Sequence, residues 1–309
     1  MLKFAAPLIG EEEKEAVLLA MSGDRLTEGP KVEEFEHRFG EKFGGYAVAV
    51  SSCTAALYIA GKLLPPQTLT VPAMTHPATA LAMVDHKIVF EDHHNTDVSV
   101  DFLGMDQPKG KIEDAATALH LKEYGMLACF SFYPAKQMTT GEGGMLLCKD
   151  RRDAAEAKKI RAFGKPEFDC FGLNFRMSEI AAAIGVEQLL KLDDFIKRRE
   201  DNENVLRECL KDFELIGDNY ALSIITPHRD RIRLSLLKQG VETSAYYPIP
   251  VPHTKYFGED KCYPQAERIS SQSVTLSVGP HLTQNDMKFV GTLARELLWL
   301  AEEDLSATT

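Results

Sequence analysis

At 309 residues, with 44% hydrophobic and 26% charged side chains, the chain can bury a large core and has the make-up of a globular enzyme with one big domain and a smaller one. Its 35 basic and 46 acidic residues leave a net charge of −11, which argues against nucleic acid and against an anionic membrane surface as partners. An anionic substrate therefore needs a local pocket of helix N-termini and basic side chains.

The N-terminal MLKFAAPLIGEEEKEA meets acidic residues before an apolar span can form, so it does not read as a signal peptide. No stretch is apolar for long enough to cross a membrane. The six cysteines, at 53, 129, 148, 170, 209 and 262, form no C-x-x-C pair and no zinc spacing. Several lie in apolar runs, as buried thiols do. A reducing, cytoplasmic setting is expected, with no metal.

Residues 11–22 and 30–43 read as helices joined by GDRLTEG, with Glu11–Glu13 at the positive end of the first and Pro30 at the start of the second. Residues 46–50 form a short strand, and an Ala-rich helix starts straight after Ser51 and Ser52. Hydroxyls there are expected as helix caps. The same junction, with Ser52, Thr54 and the Ala55 amide, equally suits a phosphate. A strand at 68–72 turns at Pro72 into a helix from about Pro77. That puts His76 at the carboxyl edge of a strand, where open parallel sheets hold ligands. A strand at 88–91 follows, then a polar loop over 92–110. The next short strand ends in Glu113 and Asp114, where a carboxylate either caps a turn or faces a ring nitrogen.

The segment CFSFYPAKQMTTGEGGMLLC, Cys129 to Cys148, reads as strand, tight loop and strand. It has no P-loop order. Its lysine, Lys136, stands between two buried runs. Desolvation there lowers a lysine's pKa and leaves an amine able to form a Schiff base. A structural role beside a Gly-rich hairpin is the plainer alternative. Residues 151–163 read as a helix. A second starts at Ser178–Glu179, carries a small face at Ala181–Ala183 and Gly185, and breaks near Lys191–Asp193. A strand at 222–225 and helices at 229–238 and 283–301 complete the chain. A shift towards polar composition near 195 divides it into a large domain, 1–195, and a small one, 196–309.

Taken together, LTEGPKVEEFE, SSCTAAL, PAMTHPAT, IEDAA, CFSFYPAKQMTTGEGG, LNFRMSEIAAAIGVEQLLKLDDFIKRR, AYYPIPVPH and YPQAERISSQSVTLSVGPHLT resemble, nearly end to end and in order, the DegT/DnrJ/StrS family of pyridoxal-phosphate-dependent nucleotide-sugar aminotransferases. The resemblance implies an α/β, aspartate-aminotransferase-type (fold type I) architecture with a mostly parallel, seven-stranded central sheet and a smaller C-terminal α/β domain. It implies that Lys136 forms the Schiff base with pyridoxal 5'-phosphate (PLP) and shuttles the proton, and that Asp114 partners the ring nitrogen. It further assigns Ser52, Thr54, Ala55 and Ser131 to the phosphate cradle and Asn174 to the phosphate of a neighbouring subunit, in a homodimer with shared sites. His76 stands where the family stacks an aromatic ring, and Thr117 where a longer side chain contacts the 3-hydroxyl side. Tyr247 and His253 fall in the sugar-facing loop.

The implied reaction moves an amino group from an amino acid, glutamate first, to a nucleotide-linked keto-deoxy sugar. Phosphate donors are expected from His228, Arg229, Arg231 and Arg233 and from the 247–253 loop. Relative to the family pattern, a strand and helix before IEDAA and part of 118–130 look absent. A cofactor-binding or regulatory homologue without turnover is therefore an alternative. Sugar dehydratases of similar sequence carry histidine in place of the lysine, which sets them further from this chain.

Overall fold

The computed structural model describes residues 1–306, in which apolar spacing and capping residues decide where each element starts and stops. Helix α1 (Glu11–Met21) is followed by α2 (Pro30–Phe43), which has Pro30 in its first turn and ends on Gly44 at φ 73°. Strand β1 (Tyr46–Val50) leads into α3 (Cys53–Leu63), and β2 (Thr68–Pro72) into the short α4 (Pro77–Leu81). Then come β3 (Lys87–Glu91), β4 (Val98–Val100), a 3₁₀ turn at Phe102–Gly104, β5 (Ile112–Asp114), β6 (Leu127–Ser131) and β7 (Gly144–Cys148). Helices α5 (Arg151–Arg161) and α6 (Glu179–Cys209) precede β8 (Leu215–Ile216), β9 (Ala221–Ile225) and α7 (Arg229–Lys238). A 3₁₀ turn at Val251–His253, α8 (Pro264–Gln272), β10 (Ser273–Ser277) and α9 (Gln284–Ser306) end the described chain.

Five strands form the main sheet in the order β1-β7-β6-β5-β4. It is mixed rather than mostly parallel. Strands β4, β5 and β6 run parallel, while β7 is antiparallel to both β6 and β1. The reason is local: the short 132–143 loop can return the chain only as an antiparallel neighbour. Strands β2 and β3 make a separate parallel pair, so the expected seven strands divide into five and two. Asp97 joins the two groups. Its Oδ2 accepts from the Thr70 amide at 3.0 Å and the Thr70 hydroxyl at 2.9 Å, just ahead of β4.

Helices α2 and α6 cover one face of the sheet through Val32, Phe35, Phe39, Phe43, Ala182, Val186 and Leu189, packed on Phe130, Met145 and Leu147. Gly185 lets α6 come close, since a Cβ there would lie 2.7 Å from the Phe35 ring. Helices α3 and α5 cover the other face with Ala56, Leu57, Ala60, Ala157 and Ile160. At the β1 edge, Glu36 accepts from the Ala49 amide (3.0 Å) and Arg161 donates to the Ala49 carbonyl (2.9 Å), an ion pair that closes that part of an edge strand to pairing.

Two readings change here. The 92–110 stretch is not all loop: Val98–Val100 forms a strand buried at every residue. This strand lies within VFEDHHNTDVSVD, and the stretch from there to IEDAA, 101–111, holds a 3₁₀ turn but no further strand or α-helix. Helix α6 does not break at Lys191–Asp193. Lys191 pairs with Glu12 and Glu13, and Asp193 with Lys42, so the polar residues there are outward-facing anchors. The helix also carries the chain through residue 195 without interruption, into a separate C-terminal core of Leu206, Leu222, Ile224, Leu236, Val274 and Val290.

Burial pushes the Asp97 carboxyl up, but its bonds to Thr70 and the Lys111 ammonium at 3.0 Å outweigh that and hold it below the usual range. A lowered folded-state pKa contributes stability above the unfolded pKa that is lost as pH falls through the folded one. Asp97→Ala should therefore cost about 1–2 kcal/mol in urea unfolding at neutral pH, and the difference from wild type should shrink as pH drops below about 4.

Candidate active site

A cavity of about 520 Å³ opens at the carboxyl ends of β4, β5 and β6. Ser52, Thr54, His76, Asp114, Thr117, Ser131, Lys136 and Tyr247 all line it, drawn together from 195 residues of sequence separation. Ala55, Asn174 and His253 are not in its wall.

Each lining group is delivered by a junction. Ser52 caps α3, its hydroxyl accepting from the Ala55 amide at 3.1 Å, so that amide is already engaged. The Cys53 and Thr54 amides also belong to the first turn, where no intrahelical acceptor exists. The helix start can sit over the sheet because β7 begins with glycine. A Cβ on Gly144 would fall 2.4 Å from the Ser52 carbonyl carbon and 2.5 Å from the Cys53 nitrogen.

Asp114 ends β5 and is 6% exposed. Its Oδ2 accepts from the Thr79 hydroxyl at 2.7 Å, and its Oδ1 from the Ala116 amide at 3.2 Å, with the Cys53 thiol 3.9 Å away. Burial pushes the Cys53 thiol far up, so it stays a neutral donor. Among the described residues Asp114 has no ion-pair partner. Lys136 follows the turn after β6. Its amide donates to the Tyr133 carbonyl, and its ammonium lies 5.2 Å from the centre of the Tyr220 ring. Arg199, from α6, donates to the carbonyls of Tyr220 (3.0 Å) and Lys136 (3.3 Å), holding ring and loop together.

His76 caps α4 with Nδ1, which accepts from the Ala78 amide, and meets the Tyr247 ring edge-on at 5.6 Å. Partial desolvation in the wall, the largest influence, pulls its pKa down and favours the neutral ring. Thr117 lines the cavity and is also bonded within the chain. Its hydroxyl donates to the Asp101 carbonyl and accepts from the Gly104 amide, so it shapes the Phe102–Gly104 turn. Ser131 accepts weakly from the Tyr133 amide at 3.4 Å.

Asn174 is exposed, its Oδ1 held by Arg176, which pairs with Glu28. His253 contacts the Lys261 carbonyl and stands 3.8 Å from Glu267, outside the cavity. The basic cluster is elsewhere too. Arg229 bonds the Ser270 carbonyl and Asp230, and Arg233 bonds Thr243. The stretch 228–233 looked cationic in sequence, but α7 turns it away from the cavity. The wall also includes Thr75, Tyr133, Tyr220, Ser244 and Tyr246, which the sequence reading passed over. Thr75 and Thr79 flank His76 with hydroxyls four residues apart, and that spacing was the available signal.

A model of the DegT/DnrJ/EryC1/StrS aminotransferase family matches residues 7–105 and 111–293, and the chain belongs to that family. The spore coat polysaccharide biosynthesis protein SpsC of Bacillus subtilis is 29% identical over 259 residues, 65% of this chain and 67% of its own. GDP-perosamine synthase of Escherichia coli O157:H7 is 26% identical over 348 positions, 92% of this chain and 95% of its own. That span exceeds the 309 residues here, so the alignment opens gaps opposite segments this chain lacks. In structure, the Helicobacter pylori aminotransferase PseC superposes with a TM-score of 0.87 at 21% identity, covering 96% of this chain and 99% of its own. DesI, solved with its TDP-sugar product, gives 0.87 at 23% identity, covering 100% and 95%. The fold is thus that of the PLP-dependent, fold type I aminotransferases, and the chain is a PLP-dependent aminotransferase.

The residues present fit that cofactor. A buried carboxylate without a cation of its own suits a protonated ring nitrogen, a cavity-facing amine suits the aldehyde, and open amides at a helix start suit a phosphate. Gly144→Ala should test the close approach. The methyl must displace backbone at Ser52–Cys53, so the variant should lose about 1–3 kcal/mol of stability and bind PLP more weakly, as read by unfolding and by cofactor titration.

Proposed function

We propose that this aminotransferase passes an amino group from an amino acid, glutamate first, to a nucleotide-linked keto-deoxy sugar, acting in the cytoplasm as a homodimer with shared sites. The observation that carries the reading is the placement of the Lys136 amine and the Asp114 carboxylate in one wall, beside the start of α3. Relatives named for nucleotide-sugar transamination, among them the dTDP-3-amino-3,4,6-trideoxy-alpha-D-glucose transaminase of Streptomyces venezuelae (27% identical, 91% of this chain and 90% of its own), support the substrate class. No described helix is long and apolar enough to cross a membrane, which accords with the proposed location.

When bound, the pyridoxal ring supplies an electron sink for the carbanion formed at the substrate carbon. The protein's part is positional and protolytic. Asp114 would hold a proton at the ring nitrogen, and Lys136 Nζ would take the proton from the substrate carbon as a general base and deliver it to the cofactor's aldehyde carbon. Ser52, Thr54 and Ser131, with the Cys53 and Thr54 amides, would hold the phosphate. His76 would stack on the ring, with Tyr247 edge-on against His76 at 5.6 Å. Asn174 is exposed and lies outside the wall of its own cavity, which suits a reach into a partner's.

Lys136 is the one cationic side chain among the residues lining the cavity, beside the acidic Asp114 and Glu142. A pyrophosphate must then be met by amides, by hydroxyls such as Ser244, and by the second subunit. Two experiments follow. Nucleotide-linked amino sugars run in reverse with 2-oxoglutarate should shift the cofactor band, whereas free amino sugars should not. Equal reaction of both would remove the nucleotide from recognition. Mixing the inactive Lys136→Ala and Asn174→Ala chains should restore roughly one quarter of wild-type activity, because random pairing gives half heterodimers with one intact site each. No recovery from a mixture shown to exchange subunits would end the shared-site arrangement.

A further inference from the structure

Asp114 is not positioned by the backbone alone. Thr79, fully buried, places its hydroxyl 2.7 Å from Asp114 Oδ2, and Thr75, also fully buried, lies 2.8 Å from the Thr79 hydroxyl. The chemistry sets the direction of this chain. An ionised carboxylate only accepts, so Thr79 must donate to Asp114, and its remaining lone pairs are then free to accept from Thr75. Two hydroxyls therefore point one way, towards a charge that has no ion-pair partner among the described residues.

We propose that Thr79 is a positioning residue for the transamination, acting through Asp114. Its hydroxyl fixes the rotamer of the carboxylate and keeps the charge in place opposite the ring nitrogen. Thr75 in turn orients the Thr79 hydroxyl. The inference rests on the reading of Asp114 as the partner of that nitrogen.

A bond from a neutral donor to a buried charged acceptor is stronger than an ordinary one, and its loss leaves the carboxylate under-solvated. The location adds a geometric reason. Both threonines belong to the Thr75–Thr79 segment that also presents His76, so one turn of chain sets the ring that stacks and the carboxylate that holds the ring's proton. With α4 only five residues long, side-chain bonds rather than helix length must fix that turn.

The test compares Thr79→Val, Thr79→Ser and Thr75→Val, read by PLP dissociation constant, kcat and KM, and the nitrogen-15 NMR shift of ring-labelled cofactor. Thr79→Val keeps the shape and loses the donor. It should weaken PLP roughly tenfold, lower kcat more than KM, and move the ring nitrogen towards its unprotonated shift. Thr79→Ser should restore all three. Thr75→Val removes the same group from an equally buried place but leaves Thr79 able to donate, so it should act in the same direction and less strongly. A nitrogen shift unaltered in Thr79→Val, or equal effects from Thr75→Val, overturns the inference in favour of plain packing. Should Thr79→Val fail to fold, Thr79→Ala is read against Thr79→Ser by the same criteria. Asp114→Asn run alongside separates the two levels: if it too leaves the nitrogen shift and kcat unchanged, the reading of Asp114 fails. If only Thr79→Val is silent, this inference alone fails.

Discussion

A backbone-to-backbone approach with no room for a methyl group organises the molecule. Gly144 opens β7 directly beneath Ser52 and Cys53, and so decides how closely α3 can start above the sheet. The same strand is the antiparallel return of the hairpin that carries Lys136, and it pairs with both β6 and β1. One short strand thus sets the height of the phosphate-facing turn and the place of the amine. Asp114 enters from β5, two strands away from β7 across β6, with its side chain on the α3 face of the sheet.

The connections around β4 show how a shortened chain keeps that arrangement. Parallel strands are ordinarily linked through a helix that covers one face. Here 101–111 has only a 3₁₀ turn, and side chains do the covering. Lys109 spans the buried Asp101 and Glu113, at 3.3 and 2.6 Å, and lies 6.0 Å from the Tyr124 ring. With the exposed Asp106 also 2.8 Å away, three carboxylates meet one ammonium. Burial first, and the neighbouring Glu113 second, push the Asp101 carboxyl up, which lessens the negative charge gathered around Lys109. The polar plug stands where an apolar helix face would otherwise pack. Above it, the Thr117 hydroxyl holds the turn whose Phe102 and Leu103 form part of the cavity wall.

What could be read from sequence divides along physical lines. Lys136, Asp114, Ser52 and His76 were legible because each sits at a junction with its own local signature: glycines, a cap, a proline. Strand β4 was not, since three residues in polar company give no periodicity, although all three are buried. The uninterrupted α6 was missed because Lys191 and Asp193 look like a loop until their partners Glu12, Glu13 and Lys42 arrive from 151 or more residues away. His253 and the arginines of 228–233 carried suitable chemistry, but orientation is a tertiary property. Thr79 was passed over for the opposite reason: a buried threonine in a short apolar helix carries no charge, and only its four-residue spacing from Thr75 marked it.

The central claim is that this cavity, with Lys136 and Asp114 in its wall, is where the cofactor is held. Borohydride reduction of the PLP-loaded protein followed by peptide mapping tests it most directly. The account predicts a single pyridoxyl adduct on Lys136. An adduct on another lysine, or none from protein that has demonstrably bound PLP, would contradict it.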